Sequence, residues 1–131
     1  MNTEHDSAHY KSKPGIQRIF KATKYSFQGL RAALKYEAAF RQELLLCLLL
    51  TPVAFILGND AVEILFLLST LCLLLITELL NSAMETLADR LCQNYDPLIG
   101  RAKDLGSAAV FICLSLIAVV WTYFLIKFMV A

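Results

Sequence analysis

Residues Glu78-Leu-Leu-Asn-Ser-Ala-Met-Glu-Thr-Leu-Ala-Asp89 decide how this chain folds, because they follow directly on the uncharged run Ile64 to Thr77. At about 100° per residue, with Glu78 at zero, Asn81 falls at roughly −60°, Ser82 at roughly +40°, Glu85 at roughly −20° and Asp89 at roughly +20°. These polar side chains share one face within roughly a 100° arc, while Leu79, Leu80, Ala83, Met84 and Leu87 lie elsewhere. A charge in mid-span costs about 2.5 to 3.5 kcal/mol on insertion scales. Several carboxylates on one face of a membrane helix therefore mark a site rather than a scaffold.

Composition sets the class around that stretch. The chain has 131 residues, of which 58% are apolar and 18% charged, and a mean hydropathy of +0.60. That is membrane-like and too short for more than one domain. Eight of the twelve Lys and Arg precede Leu44, three lie from Arg90 to Lys103, and Lys127 stands alone. Nucleic-acid binding needs a basic face without spans and is rejected. Cys47, Cys72 and Cys113 stand singly in apolar runs and Cys92 in a polar connection, without the pairing that zinc or a disulfide framework needs. Met1 to Ser12, with His5 and His9, reads as a disordered lead-in. It lacks the order of a secretory signal, so the first span is expected to be retained.

Before any span, Ile16, Ile19, Phe20, Thr23, Phe27, Leu30 and Leu34 align on one side of a helix, with Arg18, Lys21, Lys24, Gln28 and Lys35 facing away. The period predicts a basic amphipathic helix on the cytoplasmic membrane surface, its cations toward anionic lipid. It either only anchors the chain or also helps hold a polyanion such as nucleotide phosphate. Glu37 lies at the edge of that apolar stripe with Arg41 four residues on. It is read either as half of a helical ion pair or as a carboxylate aimed inward.

Three apolar spans follow: Leu44 to Gly58, which tolerates Pro52 as a kink; Ile64 to Thr77, which is short and must continue through the Glu78 face; and Leu105 to Ile126. The expected elements are a surface helix over about 15–35 and spans over about 40–58, 62–90 and 104–127, in one membrane domain over 13–131. The Gly58 to Glu63 turn has no Lys or Arg, while the N-terminal arm and the Arg90 to Asp104 connection hold eleven of the twelve. By charge bias the N-terminus is cytoplasmic and the C-terminus is on the far side. Glu85 and Asp89 then meet the amphipathic helix and the Arg101, Lys103, Asp104 cluster at one depth. Ala102, Gly106 and Ala109 or Val110 have the small-residue spacing that lets helices approach closely in lipid.

Two carboxylates can hold Mg²⁺ against substrate phosphates. A third can act as general base on an alcohol, and Lys or Arg can neutralise a transferring phosphoryl group. The chain has no G-x-x-x-x-G-K-[ST] loop. On the residues alone, a lipid-phosphorylating enzyme and a proton or cation pathway both remain open.

The stretch from Glu78 to Arg90, the segment Gly100-Arg-Ala-Lys-Asp-Leu-Gly-Ser-Ala-Ala-Val110 and the joint Glu37-Ala-Ala-Phe-Arg-Gln-Glu43 together resemble the small integral-membrane diacylglycerol kinases of bacteria. The resemblance runs from about Gly15 to the end of the chain. It implies an all-α membrane protein, a homotrimeric helical bundle with a surface helix and three membrane helices per subunit. It also implies ATP-dependent phosphorylation of diacylglycerol to phosphatidic acid in the inner membrane, at sites built between subunits. Under it Glu78 matches the general base and Asn81 the amide that arranges it, while Glu37 and Glu85 match the carboxylates that hold Mg²⁺. Asp89, Lys103 and Asp104 match the nucleotide side, joined by Arg18, Lys21 and Tyr25 of the surface helix. A related branch phosphorylates undecaprenol, and Leu105-Gly-Ser-Ala-Ala favours the diacylglycerol branch. The chain departs from the family's pattern at Pro97, where an acidic residue is common, with Asp96 just before it.

Overall fold

The structure, a computed structural model, describes residues 15–91 and 96–130. The lead-in expected over Met1 to Ser12, His5, His9 and Cys92 fall outside the described residues. Four helices follow in order: α1 Gly15–Tyr36, α2 Ala38–Leu57, α3 Ala61–Leu91 and α4 Pro97–Val130. The last three are long and apolar enough to cross a membrane. Residues up to Ala32 form one compact unit and those from Ala33 another.

A single residue separates α1 from α2. Glu37 is extended, with φ −100° and ψ 111°, and its side chain caps nothing. Arg41 does not pair with it. Its Nη1 donates instead to the carbonyls of Leu34 and Lys35 at 3.2 and 3.3 Å, satisfying acceptors that the end of α1 leaves without helical partners. The ion-pair alternative for Glu37 is therefore not formed. Since Glu37 is the corner, the α1 wheel does not set its direction either.

Between α2 and α3 the chain turns in three residues. Asp60 Oδ1 accepts from Glu63 N at 2.9 Å and Glu63 Oε2 accepts from Asn59 N at 3.0 Å, an exchange that satisfies free donors at the helix start. Gly58 is required by space rather than by φ. A Cβ there would lie 2.6 Å from Ile64 Cγ1 and 3.2 Å from the Ala54 carbonyl.

Helix α4 begins earlier than the expected span, so Arg101, Lys103 and Asp104 are helical rather than part of a loop. Asp96 and Pro97 explain this. Asp96 Oδ1 accepts from Leu98 N at 2.8 Å as an N-cap, and Pro97 takes the first helical position, where its missing N–H costs nothing.

The core joins Cys47, Ala54 and Leu57 of α2, Leu67, Leu71 and Leu74 of α3, and Cys113, Ile117, Trp121 and Phe124 of α4. Three- and four-residue spacing puts each set on one stripe. Antiparallel α3 and α4 are registered by polar contacts along their length. Trp121 Nε1 donates to Thr70 Oγ1 at 3.1 Å, Thr77 Oγ1 and Cys113 Sγ lie 3.2 Å apart, and Lys127 Nζ pairs with Glu63. Without Glu63, Lys127 is left beside the Phe124 ring, and without Lys127, Glu63 Oε1 loses its side-chain partner. Lys127→Met and Glu63→Gln should each lower the thermal unfolding midpoint in detergent by a few degrees. Unchanged midpoints in both would show the pair to be idle.

Candidate active site

The buried stripe of α3 does not end with its apolar residues. From Leu67, Leu71 and Leu74 it continues as Glu78, Asn81, Ser82 and Ala88, all buried. Glu78 is only 3% exposed. The polar face thus begins as a continuation of the core face: Glu78 is buried in the bundle, Glu85 is half-buried and Asp89 is exposed. At about 1.5 Å per residue from Ala61, Glu78 lies roughly 26 Å along the helix, Glu85 roughly 36 Å and Asp89 roughly 42 Å. Counted from Ala61, a hydrocarbon core of about 30 Å would end between Glu78 and Glu85.

Hydrogen bonds tie the face together along the helix. Ser82 Oγ donates to Glu78 Oε1 at 3.4 Å, a long bond, and Asn81 Nδ2 donates to Glu85 Oε1 at 3.1 Å. Asn81 Oδ1 is buried without a partner. Gly106 of α4 stands against it so closely that a Cβ at 106 would overlap the Asn81 amide. This is where the small residues of α4 act: the lack of a side chain at 106 makes room for the amide.

Glu37 and Glu85 both lie within electrostatic range of Glu78. One carboxylate absent from the sequence-based set joins them. Glu43 of α2 is also within range of Glu78, and its Oε2 is buried with no hydrogen-bond partner. The signal was in the spacing, since Glu43 falls three residues after Phe40 and four before Cys47, both buried. Glu37, Glu43 and Glu85 are therefore each charged neighbours of Glu78, with no ion pair to any of the four among the described residues.

The remaining candidates divide. Lys103 pairs with Asp89 at 2.8 Å, their side chains 41% and 70% exposed, and it also lies within range of Glu85. So open a pair exchanges readily for another anion. Asp104 is exposed one residue on. Arg18, Lys21 and Tyr25 are exposed on α1, in the first unit.

Hard carboxylate oxygens in mutual repulsion suit a divalent cation that keeps waters and substrate phosphates as its other ligands, as Mg²⁺ does. Among the described residues no group of three or more His, Cys, Asp or Glu side chains forms a protein-only cage. Two carboxylates completed by phosphate oxygens would make the former arrangement.

The chain is similar in sequence to several known proteins. A profile of the prokaryotic diacylglycerol kinase family matches residues 24–125. A diacylglycerol kinase of Haemophilus influenzae is 47% identical over 107 residues, covering 82% of this chain and 91% of that protein. One of Pseudomonas aeruginosa is 45% identical over 117 residues, covering 89% and 95%. One of Escherichia coli is 48% identical over 107 residues, covering 82% and 88%.

Proposed function

Because the chain belongs to the prokaryotic diacylglycerol kinase family, we propose that it transfers the γ-phosphoryl group of ATP to the free hydroxyl of diacylglycerol, giving phosphatidic acid at the cytoplasmic face of the bacterial inner membrane. The proposal takes 13–131 as one membrane kinase domain, with the N-terminus cytoplasmic and the C-terminus periplasmic. It takes the working unit as a homotrimer in which neighbouring subunits complete each site.

The observation that carries it is Glu78, a buried carboxylate on a membrane-spanning helix, with Glu37, Glu43 and Glu85 in electrostatic range of it. Glu78 accepts the proton of the lipid hydroxyl as that oxygen bonds to the γ-phosphorus and the bond to the β-phosphate oxygen breaks. Asn81, bonded to Glu85 and free at Oδ1, orients the base and the phosphate. Lys103, Asp104 and Asp89 bind the nucleotide, and Arg18, Lys21 and Tyr25 of α1 are assigned to it as well. Glu37 and Glu85 hold Mg²⁺, which when bound neutralises charge on the phosphates.

The test is direct: purified protein in detergent or lipid is given ATP, Mg²⁺ and either diacylglycerol or undecaprenol, and phosphorylated lipid is measured. Diacylglycerol is the expected acceptor. Transfer to undecaprenol alone would move the chain to the other branch, and transfer to neither would favour a proton or cation pathway. A second expectation concerns the metal. Glu37→Ala and Glu85→Ala should each raise the Mg²⁺ concentration for half-maximal activity about 10-fold or more, the scale on which lost ligand-shell contacts weaken a metal. Unchanged titrations for both would argue against a shared metal site.

A further inference from the structure

Helix α1 carries a cationic edge that the proposed reaction leaves unused. From Gly15 to Tyr36 the chain has five Lys or Arg and no Asp or Glu. With Arg18 at zero and about 100° per residue, Arg31, Lys24 and Lys35 fall at roughly 220°, 240° and 260°. The residues assigned to the nucleotide, Lys21, Tyr25 and Arg18, fall at roughly 300°, 340° and 0°. The apolar residues from Ile19 to Phe20, in angular order, occupy roughly 100° to 200°. Arg31, Lys24 and Lys35 therefore border the apolar face directly, and the nucleotide residues do not.

Both faces are open. Ile16, Phe20 and Phe27 are 70%, 73% and 69% exposed, and Lys24, Arg31 and Lys35 are exposed too. Among the described residues none of the three cations is in an ion pair, and Lys35 Nζ lies only over the Tyr36 ring, 4.9 Å from its centroid. Cations flanking the apolar face of an interfacial helix lay their stems along the acyl boundary and reach headgroup phosphates. The adjoining apolar face selects a bilayer over a soluble polyanion, and the charge selects an anionic one.

We propose that Lys24, Arg31 and Lys35 form an anionic-lipid-binding edge, separate from the nucleotide residues, that docks α1 on negatively charged bilayer. The proposed product is itself an anionic lipid, so the helix binds more firmly as product accumulates; that consequence, and the separation from nucleotide residues, rest on the proposed function.

The test follows backbone hydrogen exchange in the full-length protein, without nucleotide, in nanodiscs of phosphatidylcholine with and without one-third phosphatidylglycerol, at low and high salt. Exchange across α1 should slow with phosphatidylglycerol and recover in high salt. Each basic residue near an anionic leaflet contributes about fivefold, so the combined Lys24→Gln, Arg31→Gln, Lys35→Gln variant should lose up to about a hundredfold of that protection. Combined Lys24→Arg and Lys35→Arg should keep it, and unchanged protection across α2 to α4 shows that each variant is folded. Equal exchange of α1 in the two bilayers, or a lipid effect that the Gln variant retains, would overturn the proposal.

Discussion

Glu78→Gln is expected to lower lipid phosphorylation by on the order of 10²- to 10⁴-fold, the range that a positioned general base supplies. Nucleotide binding should survive. Gln keeps the size of Glu and can still accept from Ser82 Oγ, which lies 3.4 Å from Glu78 Oε1, but it cannot take up a proton from an alcohol. Glu78 is buried in a bundle whose other carboxylates repel it, so neutralising it should leave thermal stability equal or higher. Those two signs separate a chemical defect from a folding one. Turnover of diacylglycerol by the coupled release of ADP, binding of a fluorescent ATP analogue and thermal unfolding are the three measurements. Near-normal turnover would remove Glu78 from the chemistry. A loss of turnover accompanied by lost nucleotide binding would place it on the nucleotide side instead.

Glu78 also shows how much could be read in the chain. The period of Asn81, Ser82 and Glu85 around it placed them on one face, but not which way that face looked. A carboxylate face turned to a water-filled groove and one turned into packed apolar side chains have the same sequence period. Only the continuity with Leu67, Leu71 and Leu74 identifies it as the core face. The helices themselves were legible because membrane hydropathy is a strong signal over long runs. Where it weakens, at polar helix ends, the reading fell short. Helix α4 extends back to Pro97 because a local cap at Asp96 outweighs the polarity of Arg101, Lys103 and Asp104. Beside Arg41 and Gln42, Glu43 reads as part of a polar joint. Its spacing from Phe40 and Cys47 puts it on their stripe, but that stripe is the buried one only because α2 packs on α3 through it.

The packing of α4 on α3 yields the other large expected effect. A Cβ at Gly106 would overlap the Asn81 side chain, and Asn81 has little room, being 9% exposed and bonded to Glu85 at 3.1 Å. Gly106→Val then has two outlets. Either the amide rotates away and gives up its bond to Glu85, or α3 and α4 move apart along a contact that also aligns Thr77 with Cys113. Overpacking of this kind costs about 1–3 kcal/mol, and a misplacement of roughly 1 Å in a catalytic group costs about 10²-fold in rate. Gly106→Val should therefore reduce phosphorylation by on the order of a hundredfold with a moderate loss of stability. Gly106→Ala should fall between it and the parent. The decisive comparison is with Asn81→Ala, which removes the atoms that a residue at 106 would strike. Both single variants should be slow, since one lacks the amide and the other displaces it. The combined Asn81→Ala, Gly106→Val protein should be no slower than Asn81→Ala alone, and it should recover the stability that Gly106→Val lost. If the two defects multiply instead, the glycine serves some other contact, and the fit between α4 and the Asn81 amide does not govern the geometry of the base.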